Sequence, residues 1–216
     1  QFGFDYGVAN SQGQTPTSEV ERILSAARIA GLQTLDTAMS YGNSEQVLGD
    51  FGIENFDIVT KLPELPIDLV DVDQWVEQQV LSSCERLRAS GLYGLLLHRP
   101  KDLLGDKADA LARSLQMLKE NHVVQKVGVS IYDPEELHPI ERVLDIDLVQ
   151  APLNVIDRRL QASGWLHRLK DFGVEIHTRS TFLQGLLLVS RDDIPSKFER
   201  WSRLWDDWHV FLSQTG

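Results

Sequence analysis

The amino-acid sequence predicts an α/β fold, a TIM-type (β/α)8 barrel that lacks its last strand and helices in this chain. Three observations carry the prediction. Short apolar runs alternate with stretches at helical spacing along most of the 216 residues. Polar side chains stand where successive strand-like runs end. No glycine-rich turn follows the first run, as a dinucleotide-binding doubly wound sheet would require, although an open sheet of that kind stays open as the alternative.

Taken in order, residues 2–4 read as a first short strand. From Ser18, the apolar residues Val20, Ile23, Leu24, Ala27 and Ala30 fall on one helical face that Gly31 closes. Ser18 with Glu21 has the pattern of a capping box. Residues 33–38 form the next strand, residues 43–51 a small helix, and residues 56–61 a strand stopped by Pro63. Val76, Val80, Cys84 and Leu87 mark a helix ending near Gly91, followed by a buried strand over residues 93–98 that Pro100 stops. Leu104, Ala108, Leu111, Leu115 and Leu118 form a further helical stripe. Residues 126–130 are a strand, after which Asp133-Pro134 starts a helix as cap and first-turn proline. Residues 147–150 are a strand, Trp165, Leu166 and Leu169 lie on a helix ended by Gly173, and residues 174–178 are a seventh strand.

Beyond Leu188 no strand is expected; Trp201, Leu204, Trp205, Trp208 and Leu212 recur at helical spacing instead. With no eighth strand and a length below the roughly 250 residues of a typical barrel, residues 1–216 are read as one barrel domain truncated at both ends. Runs of strands buried on both sides imply a parallel sheet covered by helices.

Composition narrows the partners. Hydrophobic residues make up 42% and charged residues 25%, within the range of ordinary globular domains. The net charge of -11, with Arg158-Arg159 the nearest approach to a basic cluster, argues against nucleic acid or an anionic membrane. No apolar run has the length of a membrane span. Cys84 is the only cysteine, so no intrachain disulfide forms and a reducing compartment, the cytoplasm, is expected. The histidines lack the spacings of metal sites, and no metal is expected.

Asp36, Lys61, His98, Ser130, Gln150 and Arg179 occur at the ends of successive strands, where a parallel barrel gathers its active-site groups. Each has an ordinary structural reading when taken alone: Asp36 with Lys61 an ion pair, His98 a satisfied buried histidine, the nearby Tyr41 a loop anchor. Their order along the chain gives them a joint reading. The segment Leu35-Asp36-Thr37-Ala38-Met39-Ser40-Tyr41-Gly42-Asn43-Ser44-Glu45 resembles the signature of the aldo-keto reductase family. Ile58-Val59-Thr60-Lys61 is similar to the family strand that ends in a catalytic lysine, and Leu95-Leu96-Leu97-His98-Arg99-Pro100 to the one that ends in a histidine.

The resemblance implies an oxidoreductase that reversibly transfers hydride between NADPH, with NADH not excluded, and a small-molecule aldehyde or ketone. Asp36, Tyr41, Lys61 and His98 are then the catalytic group. Tyr41 donates the proton that a nascent alkoxide needs; Lys61, held by Asp36, places a cation beside the phenolic oxygen; His98 orients the carbonyl or assists proton transfer. Ser130 and Gln150 match the residues that hold the nicotinamide carboxamide, with Ile131 standing where the family usually has asparagine. Arg179 takes the place of an aromatic residue that stacks on the nicotinamide, a role its planar guanidinium can fill. The pattern from Arg179 to Leu186 looks like bacterial members, some of which occur in carbohydrate or surface-polysaccharide pathways, so a sugar-derived carbonyl is the substrate the resemblance suggests. Phe4, Asp5, Tyr6, Met39 and Arg99 are expected on the pocket rim, with the Trp201–Trp208 stretch either over the mouth or packed on the barrel. Two alternatives remain: a cofactor-binding regulatory barrel without turnover, and an inactive fragment.

Overall fold

The computed structural model describes residues 1–215. Six strands, β1 (Thr34–Asp36), β2 (Asp57–Leu62), β3 (Leu92–Leu97), β4 (Val124–Ser130), β5 (Leu148–Pro152) and β6 (Glu175–Arg179), pair in parallel in the order β1-β2-β3-β4-β5-β6. Each strand's neighbour in the sheet is its neighbour in sequence, so the winding never reverses. That order is a barrel's and removes the doubly wound alternative, whose sheet must contain a switch point.

Helices α1 (Thr17–Ile29), α2 (Ser44–Asp50), α3 (Val72–Leu87), α4 (Ala108–Glu120), α5 (Leu137–Ile140), α6 (Arg159–Ala162) and α7 (Trp165–Asp171) precede and separate the strands, and α8 (Ser202–Thr215) follows β6. Ile58 and Leu62 of β2, Leu95 and Leu97 of β3, Val127 and Val129 of β4, and Val149 and Ala151 of β5 share one buried cluster with Val76, Val80, Leu111 and Leu115 of α3 and α4. Their period of two sends the alternate residues to the other, concave face. There Val59, Leu96 and Leu148 form a separate buried group with Tyr93. Burial on both faces explains why these strands read as near-continuous apolar runs. Each buried Leu or Val contributes about 1.5–3 kcal/mol relative to exposure.

Several local expectations change. Residues 2–4 form a turn and bend, so the sheet has six strands where the sequence suggests seven. The Phe2 amide donates to Ser44 Oγ and the Phe2 carbonyl accepts from Gln14, which leaves them no ladder to join. Gly3 lies so close to the loop after β1 that an added Cβ would stand 1.8 Å from the Tyr41 carbonyl oxygen. Ser18 is not a cap either. The first turn of α1 starts at Thr17, with the Glu19 and Val20 amides bonded to the Pro16 carbonyl. Helix α3 ends at Leu87, ahead of Gly91, with Arg88 in the left-handed region. Asp133 does cap its turn: its side chain accepts from the Glu135 amide and Glu136 completes the capping box. Gly31, at φ +71°, closes α1 as expected.

Helix α8 forms its own cluster. Trp205 is buried with Leu186, Leu187 and Ile194, and Val8, Phe198 and Trp208 pack around them. The tryptophan stretch thus packs on the segment that follows β6, and the ring N–H groups of Trp205 and Trp208 donate to the carbonyls of Phe198 and Leu187. No described helix is long and apolar enough to cross a membrane.

Candidate active site

The residues singled out by sequence meet at the C-terminal ends of the strands. Asp36 ends β1, Ser130 ends β4 and Arg179 ends β6; Lys61 and Gln150 lie near the ends of β2 and β5; His98 directly follows β3. Tyr41 stands in the loop between β1 and α2. That loop is tied down at both ends. The Met39 amide bonds the Lys61 carbonyl at 3.2 Å, the Tyr41 amide bonds the Ala38 carbonyl at 3.0 Å, and the Ser44 amide bonds the Tyr41 carbonyl at 3.0 Å.

Behind the loop, Glu45 is buried and its carboxylate is saturated. It accepts from Thr60 Oγ1 and Ser83 Oγ, each at 2.7 Å, and from Arg86 Nε at 2.8 Å. One side chain therefore joins α2, β2 and α3 and fixes the loop that carries Tyr41. The Ser44-Glu45 end of the motif serves architecture. Gly49 allows the α2–α3 approach, because a Cβ there would lie 2.2 Å from the Arg86 carbonyl oxygen.

Lys61 is 1% exposed and its ammonium is fully engaged. It donates to Asp36 Oδ1 at 2.7 Å, to Asp36 Oδ2 at 2.8 Å and to the Thr37 carbonyl at 2.6 Å. Gln150 Nε2 adds a bond to Asp36 Oδ1 at 2.7 Å, and Ser130 Oγ donates to Gln150 Oε1 at 3.2 Å. A carboxylate only accepts, so the Gln150 amide must point its nitrogen at Asp36 and its oxygen at Ser130. The result is a directional chain from Ser130 through Gln150 and Asp36 to Lys61.

Tyr41 packs beside Lys61. The Lys61 ammonium lies over its ring, 5.3 Å from the centroid, with all three of its N–H donors committed elsewhere. Burial raises the phenol above its usual value, so the phenol is held protonated. Burial likewise lowers Lys61 against the pull of Asp36. His98 is lowered by burial first, then by the Lys61 and Arg179 charges, and is neutral near pH 7. Its ring meets Tyr41 edge-on, at 5.7 Å between centroids and 76° between planes.

Arg179 is the second cation of the mouth. Its guanidinium donates to the Ile131 carbonyl at 2.8 Å and sits 4.2 Å from the Tyr132 ring centroid, while its Nε is buried without a partner. Ile131 is itself fully buried, so the position offers only its carbonyl. Arg99 is exposed and ion-paired with Glu64. Next to Ser180, an apolar cavity of about 440 Å³ is lined by Val8, Ile156, Leu183, Phe198, Trp201 and Trp205. Sequence reasoning missed Ser40, whose Oγ is 3.1 Å from His98 Nδ1, and Tyr132 as the platform for Arg179. Neither carries a local signal, since each acquires its partner only across the sheet.

The chain is similar to known proteins over most of its length. Residues 5–210 match the aldo/keto reductase family. An aldo-keto reductase of Mycobacterium sp. (strain KMS) is 32% identical over 140 residues, 57% of this chain and 45% of that protein. Another, from Strobilurus tenacellus, is 28% identical over 209 residues, 90% of this chain and 59% of its own. The chain spans about half the length of the curated relatives it matches. Among solved structures, the glycerol dehydrogenase of Gluconobacter oxydans superposes with a TM-score of 0.72 at 21% identity, covering 99% of this chain and 79% of that one. A structure solved in complex with NADPH gives 0.62 at 22% identity, covering 87% and 67%. At these identities the structures speak for the fold, and the match over residues 5–210 for the family. By its strand order, its strand-end residues and that match, the chain belongs to the aldo/keto reductase family.

Proposed function

We propose that the protein reversibly reduces an aldehyde or ketone with a nicotinamide cofactor, NADPH in the first instance, and that Tyr41 is the general acid. The observation that carries the reading is the meeting of Tyr41, Lys61, Asp36 and His98 at one strand-end mouth, with burial keeping the phenol protonated and the imidazole neutral. A carbonyl reduced there gains negative charge on oxygen. It needs a nearby proton and a positive field, and Tyr41 and Lys61 supply these two. His98 faces the same space and orients the carbonyl oxygen. Asp36 holds Lys61 in place and keeps its charge close to the phenol.

The cofactor, when bound, supplies the hydride. Ser130 and Gln150 are buried polar side chains offering a hydroxyl and an amide, a donor and acceptor set that fits a carboxamide. The orphaned Arg179 Nε marks a further donor without a partner on that side of the mouth. We assign Ser130, Gln150 and Arg179 to cofactor binding. The substrate class is a small carbonyl compound, sugar-derived carbonyls being the first to assay.

The test is carbonyl-dependent oxidation of NADPH and of NADH across a panel of aldehydes, ketones and sugars, alongside titration of cofactor fluorescence. Turnover on at least one carbonyl with cofactor binding is expected. Binding without turnover on any member would replace this reading with that of a cofactor-binding scaffold.

A further inference from the structure

We propose that Ser40 is a positioning residue that sets the tautomer of His98, an inference that rests on His98 being the imidazole that faces the carbonyl. Ser40 Oγ and His98 Nδ1 are hydrogen-bonded at 3.1 Å across 58 positions of sequence. Among the described residues the Ser40 hydroxyl has no other side-chain or backbone partner. Its place is fixed from both sides: Met39 is bonded to the Lys61 carbonyl, and the Tyr41 amide closes the turn on Ala38. The adjacent Tyr41 ring meets the same imidazole edge-on. Two consecutive side chains of the loop after β1 therefore contact His98, one at its Nδ1 and one at its ring.

The chemistry of a neutral imidazole gives this contact a consequence. Such a ring carries one N–H, and the bond made by one nitrogen decides what the other presents. The charged groups around His98 are Lys61 and Arg179, which disfavour a second proton, and Asp36, which favours it. A hydroxyl can donate to Nδ1 or accept from it; with the ring neutral and Ser40 the donor, the proton stays on Nε2, from which a carbonyl oxygen can accept a hydrogen bond. The opposite tautomer would turn a lone pair toward the carbonyl and repel it. Alanine at position 40 removes the bias. Aspartate, which only accepts when ionised, reverses it by demanding the proton on Nδ1. Ser40 is exposed, so neither replacement leaves a cavity or a stranded buried charge.

The experiment is ¹⁵N NMR of the His98 ring near pH 7 in the cofactor-free protein, for wild type and for Ser40→Ala, Ser40→Thr and Ser40→Asp, with kcat and KM measured on the same samples. Wild type and Ser40→Thr should show a protonated Nε2 and an unprotonated Nδ1. Ser40→Ala should show mixed tautomers, and Ser40→Asp a protonated Nδ1. In turnover, Ser40→Ala should lose roughly two- to ten-fold in kcat, the factor an ordinary net hydrogen bond supplies. Its affinity for cofactor should be unchanged, and Ser40→Thr should restore kcat. Wild type with its proton on Nδ1, or Ser40→Ala with the wild-type ring state, would overturn the proposal. The ring spectra need no turnover, so they test Ser40 even if no carbonyl proves to be a substrate.

Discussion

The concave face of the sheet carries two polar clusters, one at each end, separated by Val59, Leu96 and Leu148. Both contain a carboxylate, a lysine, a tyrosine and a histidine, yet they are built on opposite principles. At the N-terminal end, Glu175 of β6 accepts from Tyr93 Oη at 2.6 Å, lies 2.6 Å from His177 Nε2, and is paired with Lys126 of β4. Burial works to raise the Glu175 carboxyl, but hydrogen bonds from Lys126, Tyr93 and His177 outweigh it and hold the group at about 2. The same bond to Glu175 raises Lys126. Partners win there, and the charged forms are locked in. At the mouth burial wins: Lys61 and His98 are lowered and Tyr41 is raised, each with burial as the leading cause. Residue type does not distinguish these two clusters. What separates them is whether the charged forms are satisfied or held at a cost.

Three substitutions probe this contrast. The largest effect is expected for Lys61→Met, which removes the cation beside the phenol. Turnover should fall by about 10²–10⁴-fold, the range of a positioned acid–base or electrostatic group. Stability should change little, because Asp36 is 41% exposed on its side chain and keeps water and Gln150 as partners. Denaturant unfolding and steady-state kinetics on the same protein check both halves. A large loss of stability would show that the pair at the mouth is structural after all.

Glu175→Gln should do the reverse, costing roughly 2 kcal/mol, between exposed and buried ion pairs, while leaving kcat unchanged. The pH dependence has a definite sign. Because the folded state holds Glu175 below its ordinary value of 4.5, its contribution is complete above that value. It is lost as pH falls from there toward 2. Acid unfolding of the wild type should therefore be steeper across that interval than that of Glu175→Gln, as circular dichroism against pH would show. The smallest effect is expected in the turn that follows β4. Asp133→Ala removes a cap that accepts from the Glu135 amide and should cost about 1 kcal/mol with no kinetic consequence.

The alternation of strands and helices was legible because both faces of β2 to β5 are buried, leaving apolar runs too short to be helices. The strand-end residues were legible because a parallel barrel places them together whatever the loops do. What the sequence did not disclose depends on contacts across the fold. Residues 2–4 have strand-like composition, but their polar backbone groups go to Ser44 and Gln14. The third Lys61 proton goes to the Thr37 carbonyl, a bond that no spacing announces. The lower cluster draws on Tyr93, Lys126, Glu175 and His177, from three different strands, and no spacing announces it. Ser40 reads as one loop residue among several until His98 arrives 58 positions later.

If Tyr41 is the general acid, the mouth holds a protonated phenol ready to give its proton to a reduced carbonyl. The most direct measurement is single-turnover oxidation of bound NADPH by a carbonyl substrate as a function of pH, in wild type and in Tyr41→Phe. A general acid works only while protonated, so the wild-type reductive rate should stay level through neutral pH and fall only above the ordinary phenol value of 10. Tyr41→Phe should bind NADPH normally and lose about 10²–10⁴-fold in rate at every pH. A wild-type-like rate in Tyr41→Phe would contradict the account and move the proton donor to another group.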